Sequence, residues 1–129
     1  MRQAAARKNM EDLPIEQARK GISALAAELQ ERLTQRLLAY MIGISDGRDI
    51  GRYARGEREP HASTAQHLRN VYYLVCLLGE SEDDATIQAW LTGLNPMLDD
   101  RSPAELLHDD HEAHMQLVLR AAKKFIQTG

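Results

Sequence analysis

The chain has 129 residues, 43% hydrophobic and 27% charged, with a formal net charge of −3. That length and apolar fraction fit one soluble domain, or two very small units sharing a core, and exclude wholesale disorder. A single cysteine excludes an internal disulfide framework and makes the cytoplasm the simplest compartment, and the net charge taken alone argues against a nucleic-acid partner.

No apolar run approaches the roughly 18 residues a membrane helix needs. The start, MRQAAARKNMEDLP, is basic but lacks the apolar stretch of a secretory signal. Residues 1–13 have no clear period and read as a mobile tail. Pro14 suits the first position of a helix, which Gly21 interrupts. Ile22, Leu25, Leu29 and Leu33 then recur at helical spacing. Thr34 is placed to cap a second helix whose Leu37, Leu38 and Met41 face inward. Gly43 supplies a helix C-terminus, and Ser45 is the candidate cap of a third helix that runs to about Ala54. Gly56 and Pro60 stop it.

Ser63 or Thr64 is the candidate cap of a fourth helix. Its Leu68, Val71, Val75 and Leu78 make one face, and Tyr72, Leu74, Cys76 and Leu77 widen it until it reads as a central helix. Cys76 is therefore a packing residue. Gly79 closes this helix. Ser81 is the candidate cap of a fifth, with Glu82, Asp83 and Asp84 in its first turn, reaching about Leu91 and burying Ile87, Trp90 and Leu91. Asn95-Pro96 signals a turn. Ser102-Pro103 is an N-cap with proline at the first helical position, opening a short helix over 103–108. The last helix spans about Asp110 to Gln127, with Met115, Val118, Ala122 and Phe125 as its stripe. Leu117, Leu119, Ala121 and Ile126 flank that stripe, as a second face for a dimer or partner or as more core. No alternating run of β-formers occurs, so the fold class is all-α, a bundle of six or seven helices.

Charge is unevenly spread. Residues 1–79 carry 12 Lys/Arg against 9 Asp/Glu, a net of +3, whereas residues 80–129 carry 4 against 10, a net of −6. Two surfaces with different partners would produce this split, as would a merely solvated acidic face. Within the basic half, Thr34–Pro60 pairs two short helices across a Gly-x-Ser turn, the spacing of a helix-turn-helix. Ile50 and Tyr53 pack the second helix inward and leave Arg48, Arg52 and Arg55 on or near the opposite face. Arginine forks suit phosphate oxygens and guanine edges. Arg58 and Arg69 are better placed for phosphates. Residues 45–60 also hold Asp46, Asp49, Glu57 and Glu59, so the segment is locally neutral and ion pairs along a solvated helix are expected.

The stretch GISDGRDIGRYARGEREP resembles the helix-turn-helix of Xre-type regulators. The later stretch AWLTGLNPMLDDRSPAELL resembles the toxin-binding region of Xre/MbcA/ParS antitoxins, through Trp90, Leu91, Asn95, Pro96, Leu98, Ser102, Pro103 and Leu107. The two matches stand in the family's order over most of residues 34–107, and His108-Asp109-Asp110-His111 departs from the Arg/Gly-containing turn common there. The resemblance implies a type II antitoxin with an Xre-like DNA-binding region over 14–79 and a toxin-binding region over 80–129. It implies operator DNA as one partner, and as the other a toxin, commonly a RES-domain enzyme that consumes NAD⁺. It also implies a homodimer or higher assembly and autorepression of transcription. The DNA contacts it implies are Gln35, Ser45, Arg48, Asp49, Arg52, Arg55 and Arg58, and Phe125 and Ile126 join the toxin-binding set. The alternative is a stand-alone Xre-family regulator whose C-terminal half only oligomerises.

Other features point to no chemistry. His108, His111 and His114 recur every three residues, but His111-Glu112-Ala113-His114 is one residue short of the zincin spacing, and histidines in an acidic helix start are expected at the surface. They can still make partner binding pH-sensitive. No phosphate-cradling glycine loop or nucleophile elbow is present. No enzyme activity, cofactor, metal or membrane association is expected.

Overall fold

A computed structural model describes residues 21–128; the expected tail and the helix at Pro14 lie outside them. The described residues form seven α-helices and one 3-10 turn, with no strand. Helix α1, Ile22–Leu33, buries Leu25, Ala26, Leu29 and Leu33, one face at i, i+4 spacing. It ends at Thr34, which sits at φ 108°, an outlier for a β-branched residue. What holds Thr34 there is its double duty: it terminates α1 and its hydroxyl accepts the Leu37 N–H (3.2 Å) to open α2, Gln35–Ile42. Leu38 and Met41 are buried as expected, and Leu37 is half-buried.

Gly43 takes the left-handed conformation, φ 84°, that lets a helix end sharply. Its N–H and that of Ile44 both reach Ala39 O, at 3.0 and 3.1 Å. After the turn comes α3, Arg48–Ala54. Ser45 does not cap it. The Asp46 carboxylate, one residue on, takes the Arg48 N–H (3.0 Å) and displaces the weaker hydroxyl acceptor. Ile50 and Tyr53 are buried as predicted, against α1, whose Ser23 hydroxyl donates to Ala54 O at 2.8 Å.

Helix α4, Ala62–Leu78, is the central element, burying eight side chains from Leu68 to Leu78. It begins before the expected caps: Ser63 and Thr64 lie inside its first turn, and His61, at the cap position, makes no side-chain bond. Helix α5, Asp84–Thr92, is capped by Asp83, not Ser81, because the Asp83 carboxylate accepts the Thr86 N–H at 2.9 Å. The 3-10 turn Pro96–Leu98 is opened by Asn95, whose side chain takes the Met97 N–H. Helix α6, Pro103–Asp109, starts as predicted, with Ser102 accepting the Glu105 N–H at 3.1 Å and Pro103 at its first position. Helix α7, His111–Thr128, buries Met115, Val118, Leu119, Ala121 and Ala122.

One hydrophobic cluster runs from Leu25 to Ala122, through helices on both sides of residue 80. Helix α1 packs on α3 and α4, and α2 packs on α6. Two polar links join α1 to α5: Arg32 Nε to Asp84 (2.8 Å) and Gln88 Nε2 to Arg32 O (2.8 Å). No described helix is long and apolar enough to cross a membrane.

Candidate nucleic-acid and partner surfaces

The α2–α3 hairpin is compact because two glycines one helical turn apart, Gly47 and Gly51, meet the start of α2. A Cβ at Gly51 would lie 2.9 Å from the Gln35 amide nitrogen and 3.1 Å from the Arg55 guanidinium. The bare backbone lets the Gln35 side chain cross α3 and reach Gln30 (2.9 Å). Burial of Ile50 and Tyr53 turns the arginines outward. Arg48 is 80% exposed, and Arg52, Arg55 and Arg58 are each exposed by a third or more.

None of these four arginines is unpaired. Arg48 binds Asp46 through both Nε (3.0 Å) and its terminal nitrogen (3.1 Å). Arg55 grips Glu57 in the same two-pronged way, at 2.9 and 3.1 Å. Hydrogen bonds from these guanidinium groups hold the Asp46 and Glu57 carboxyls below the usual range. Asp49 serves two cations: its Oδ1 lies 2.6 Å from Arg52 and 3.2 Å from Arg58, and it is only 20% exposed. The expected ion pairs are present, but only Arg52–Asp49 has helical i, i+3 spacing. The others use the flanking turns. Ser45 is exposed, and Gln35 is exposed at the start of α2.

Sequence reasoning missed a groove of about 520 Å³ beside this face, lined by Gln35, Arg36, Tyr40, Ser45, Arg48 and His108 among others. The His108 ring stacks on Tyr40 with centroids 4.0 Å apart and planes within 4°. A residue of α6 thus closes one wall of a groove that otherwise belongs to α2, α3 and the turn between them.

The residues expected to bind a toxin divide into three groups. Leu91, Leu98, Pro103 and Leu107 are buried and offer no surface to a partner. They match a pattern because they pack the core under the 3-10 turn. Asn95 and Ser102 work as caps. Trp90, Phe125 and Ile126 are half-buried, and Pro96 is exposed. The rings of Trp90 and Phe125 lie 5.8 Å apart and, with Leu94 and Asn95, line a cleft of about 310 Å³. The pattern omitted the two large apolar residues most exposed here: Leu94 is 77% exposed and Met97 45%. The signal for Leu94 was its place after Gly93, outside the helical stripe. Asp99 and Asp100, both exposed, follow with consecutive positive φ values of 56° and 61°, a strained pair. Arg101 folds back to pair with Glu105 (3.3 Å) and Asp109.

Of the three histidines expected at the surface, His108 is exposed, His114 is half-buried and His111 is not at the surface. His111 is buried, 6% exposed, and stacks on His67 with centroids 4.0 Å apart. Their Nδ1 atoms lie 3.0 Å from Met41 O and 3.2 Å from Ile42 O, while those of His108 and His114 lie 2.9 Å from Tyr40 O and 2.8 Å from Leu106 O. A carbonyl only accepts, so each of these nitrogens carries a proton and donates. The described residues contain no group of three or more His, Cys, Asp or Glu side chains able to hold a metal ion. Cys76 is half-buried against the core.

No family model, curated protein or solved structure matches this chain. Its functional reading therefore rests on its own residues and on the motif resemblance above.

Proposed function

We propose that the chain is an antitoxin: a helix-turn-helix protein that binds operator DNA through α3 and neutralises a partner enzyme through its acidic C-terminal half. The observation that carries the DNA side is the two-faced α3. Ile50 and Tyr53 anchor it, and Arg48, Arg52 and Arg55 project from a seven-residue helix, each exposed by a third or more. Such a helix suits a major groove, where arginine forks meet phosphates and guanine edges. Because each arginine is already paired, binding exchanges a carboxylate for a phosphate, so affinity comes from geometry and from paired half-sites more than from bulk charge.

The partner side is supported by Leu94 and Met97, exposed beside the Trp90–Phe125 cleft and next to Asp99 and Asp100. An apolar centre with an acidic rim complements a basic enzyme surface. The motif resemblance names a RES-type, NAD⁺-consuming toxin as that enzyme, and steric cover of its substrate cleft as the mechanism. This exposed apolar pair favours the antitoxin over a regulator whose C-terminal half only oligomerises.

The test has two arms. Arg48→Ala with Arg52→Ala is expected to weaken binding to the DNA upstream of the gene by at least about fivefold, the lower end for one lost base contact. Co-expression with the adjacent reading frame is expected to relieve its toxicity. Unchanged DNA affinity removes α3 from recognition, and absence of rescue removes the antitoxin reading.

A further inference from the structure

The last four carbonyls of a helix have no partner within it and must find one elsewhere. At the end of α2, Ala39 O takes the Gly43 and Ile44 N–H groups, and the next three carbonyls each take an imidazole N–H. Tyr40 O is bound by His108 of α6, Met41 O by His111 of α7, and Ile42 O by His67 of α4. Three of the chain's five histidines thus converge on one helix end, the end that leads into the turn before α3. We propose that His111, at the centre of these three imidazoles, is the proton-sensing member of the cap: its protonation loosens the end of α2, and with it the α2–α3 hairpin, from α4 and α7. The inference holds whatever α3 binds.

The stack between His67 and His111 is what makes the cap responsive. The groups facing this pair are Glu112 from α7 and Asn70 from α4. Those sharing a groove with His108 are Tyr40 and Arg36 from α2, Asp46 from the turn and Arg48 from α3. His67 Nε2 is buried without a hydrogen-bond partner, and Glu112 Oε2 lies 3.7 Å from it. A proton on His111 has no acceptor. His111 Nε2 already faces the Asn70 amide N–H at 3.4 Å, so protonation would set two donors against each other. It would also place a cation face to face with the His67 ring at the 4.0 Å stacking distance. Burial pushes the His111 imidazole below its ordinary 6.5, outweighing the hydrogen bond to Met41 O, which favours the protonated ring, and the charge of His67 adds to the lowering.

The sign follows from proton counting. In the unfolded chain the His111 ring takes its proton as the pH falls through about 6.5, whereas the folded site holds that ring below its ordinary value. Stability from this site is complete above that pH and is lost as the pH falls below it. Each excluded proton lowers the folding constant by up to about tenfold per pH unit.

The test is chemical denaturation of the full chain at pH 7.5, 6.5 and 5.5, beside His111→Asn, which keeps a short N–H donor but does not titrate. The wild type is expected to lose up to about fivefold in folding constant between pH 6.5 and 5.5 from this site, and the variant clearly less. Equal losses overturn the proposal. A second measurement stands if the variant does not fold: NMR titration of the wild-type imidazoles, with amide exchange at Gly43 and Ile44. A His111 ring titrating below 6.5, with protection at Gly43 and Ile44 falling relative to Leu74 at pH 5.5, supports the cap. A ring titrating at 6.5 or above, or unchanged relative protection, refutes it.

Discussion

Asp49 holds two of the four arginines that the DNA reading requires, so Asp49→Asn is the most informative single change on α3. Its Oδ1 is 2.6 Å from Arg52 and 3.2 Å from Arg58, two half-exposed cations around one mostly covered carboxylate. Ion pairs of this exposure are each worth about 0.2–1 kcal/mol. DNA binding through these arginines must break both, so removing the carboxylate's charge returns about 0.4–2 kcal/mol to the complex. At about 1.4 kcal/mol per tenfold, affinity is expected to rise by about 2- to 30-fold. Fold stability moves the other way, by about 1 kcal/mol, because the pairs and an acidic group in the first turn of α3 are lost together. The assay is fluorescence anisotropy on duplex DNA from upstream of the gene, at low and moderate salt, with circular dichroism to confirm folding. Unchanged or weaker binding by the folded variant would refute the idea that Asp49 keeps the arginines from phosphate.

Other outcomes follow from burial. Ile50→Ala empties a fully buried site between α3 and α1 and is expected to cost about 2–5 kcal/mol, read by thermal or denaturant unfolding; a loss under 1 kcal/mol would mean α3 is not anchored there. Leu94→Asp with Met97→Asp leaves stability within about 0.5 kcal/mol per site, because both side chains are exposed, yet should abolish capture of the proposed partner enzyme. Ser102→Ala removes the α6 cap and is expected to cost about 1 kcal/mol without changing DNA affinity, measured by the same unfolding and anisotropy assays.

The helices were legible in the sequence because their signal is local. Leu25, Leu29 and Leu33 recur on one face, and Ser102-Pro103 offers a single acceptor at a single place. Caps failed where acceptors crowd. Asp46 stands beside Ser45 and Asp83 two residues after Ser81, and the course of the turn decides which carboxylate or hydroxyl meets the first free N–H. The exposed apolar surface around Leu94 and Met97 was legible only in region. A leucine's identity does not say whether it faces in or out, so Leu91, Leu98 and Leu107 entered the expected set and the exposed Leu94 did not. The histidine cap was hidden for a different reason. His108 and His111 bind carbonyls 68 and 70 positions earlier in the chain, and no local pattern records a contact of that separation. The charge split at residue 80 describes the surface, while one core passes beneath both halves.

The antitoxin reading is tested most directly by growth of cells expressing the adjacent reading frame alone, with this chain, and with its Leu94→Asp, Met97→Asp variant. The account predicts arrest with the frame alone, rescue by the chain, and arrest again with the folded variant. A frame that is harmless by itself, or rescue as complete with the variant as with the original chain, would contradict it.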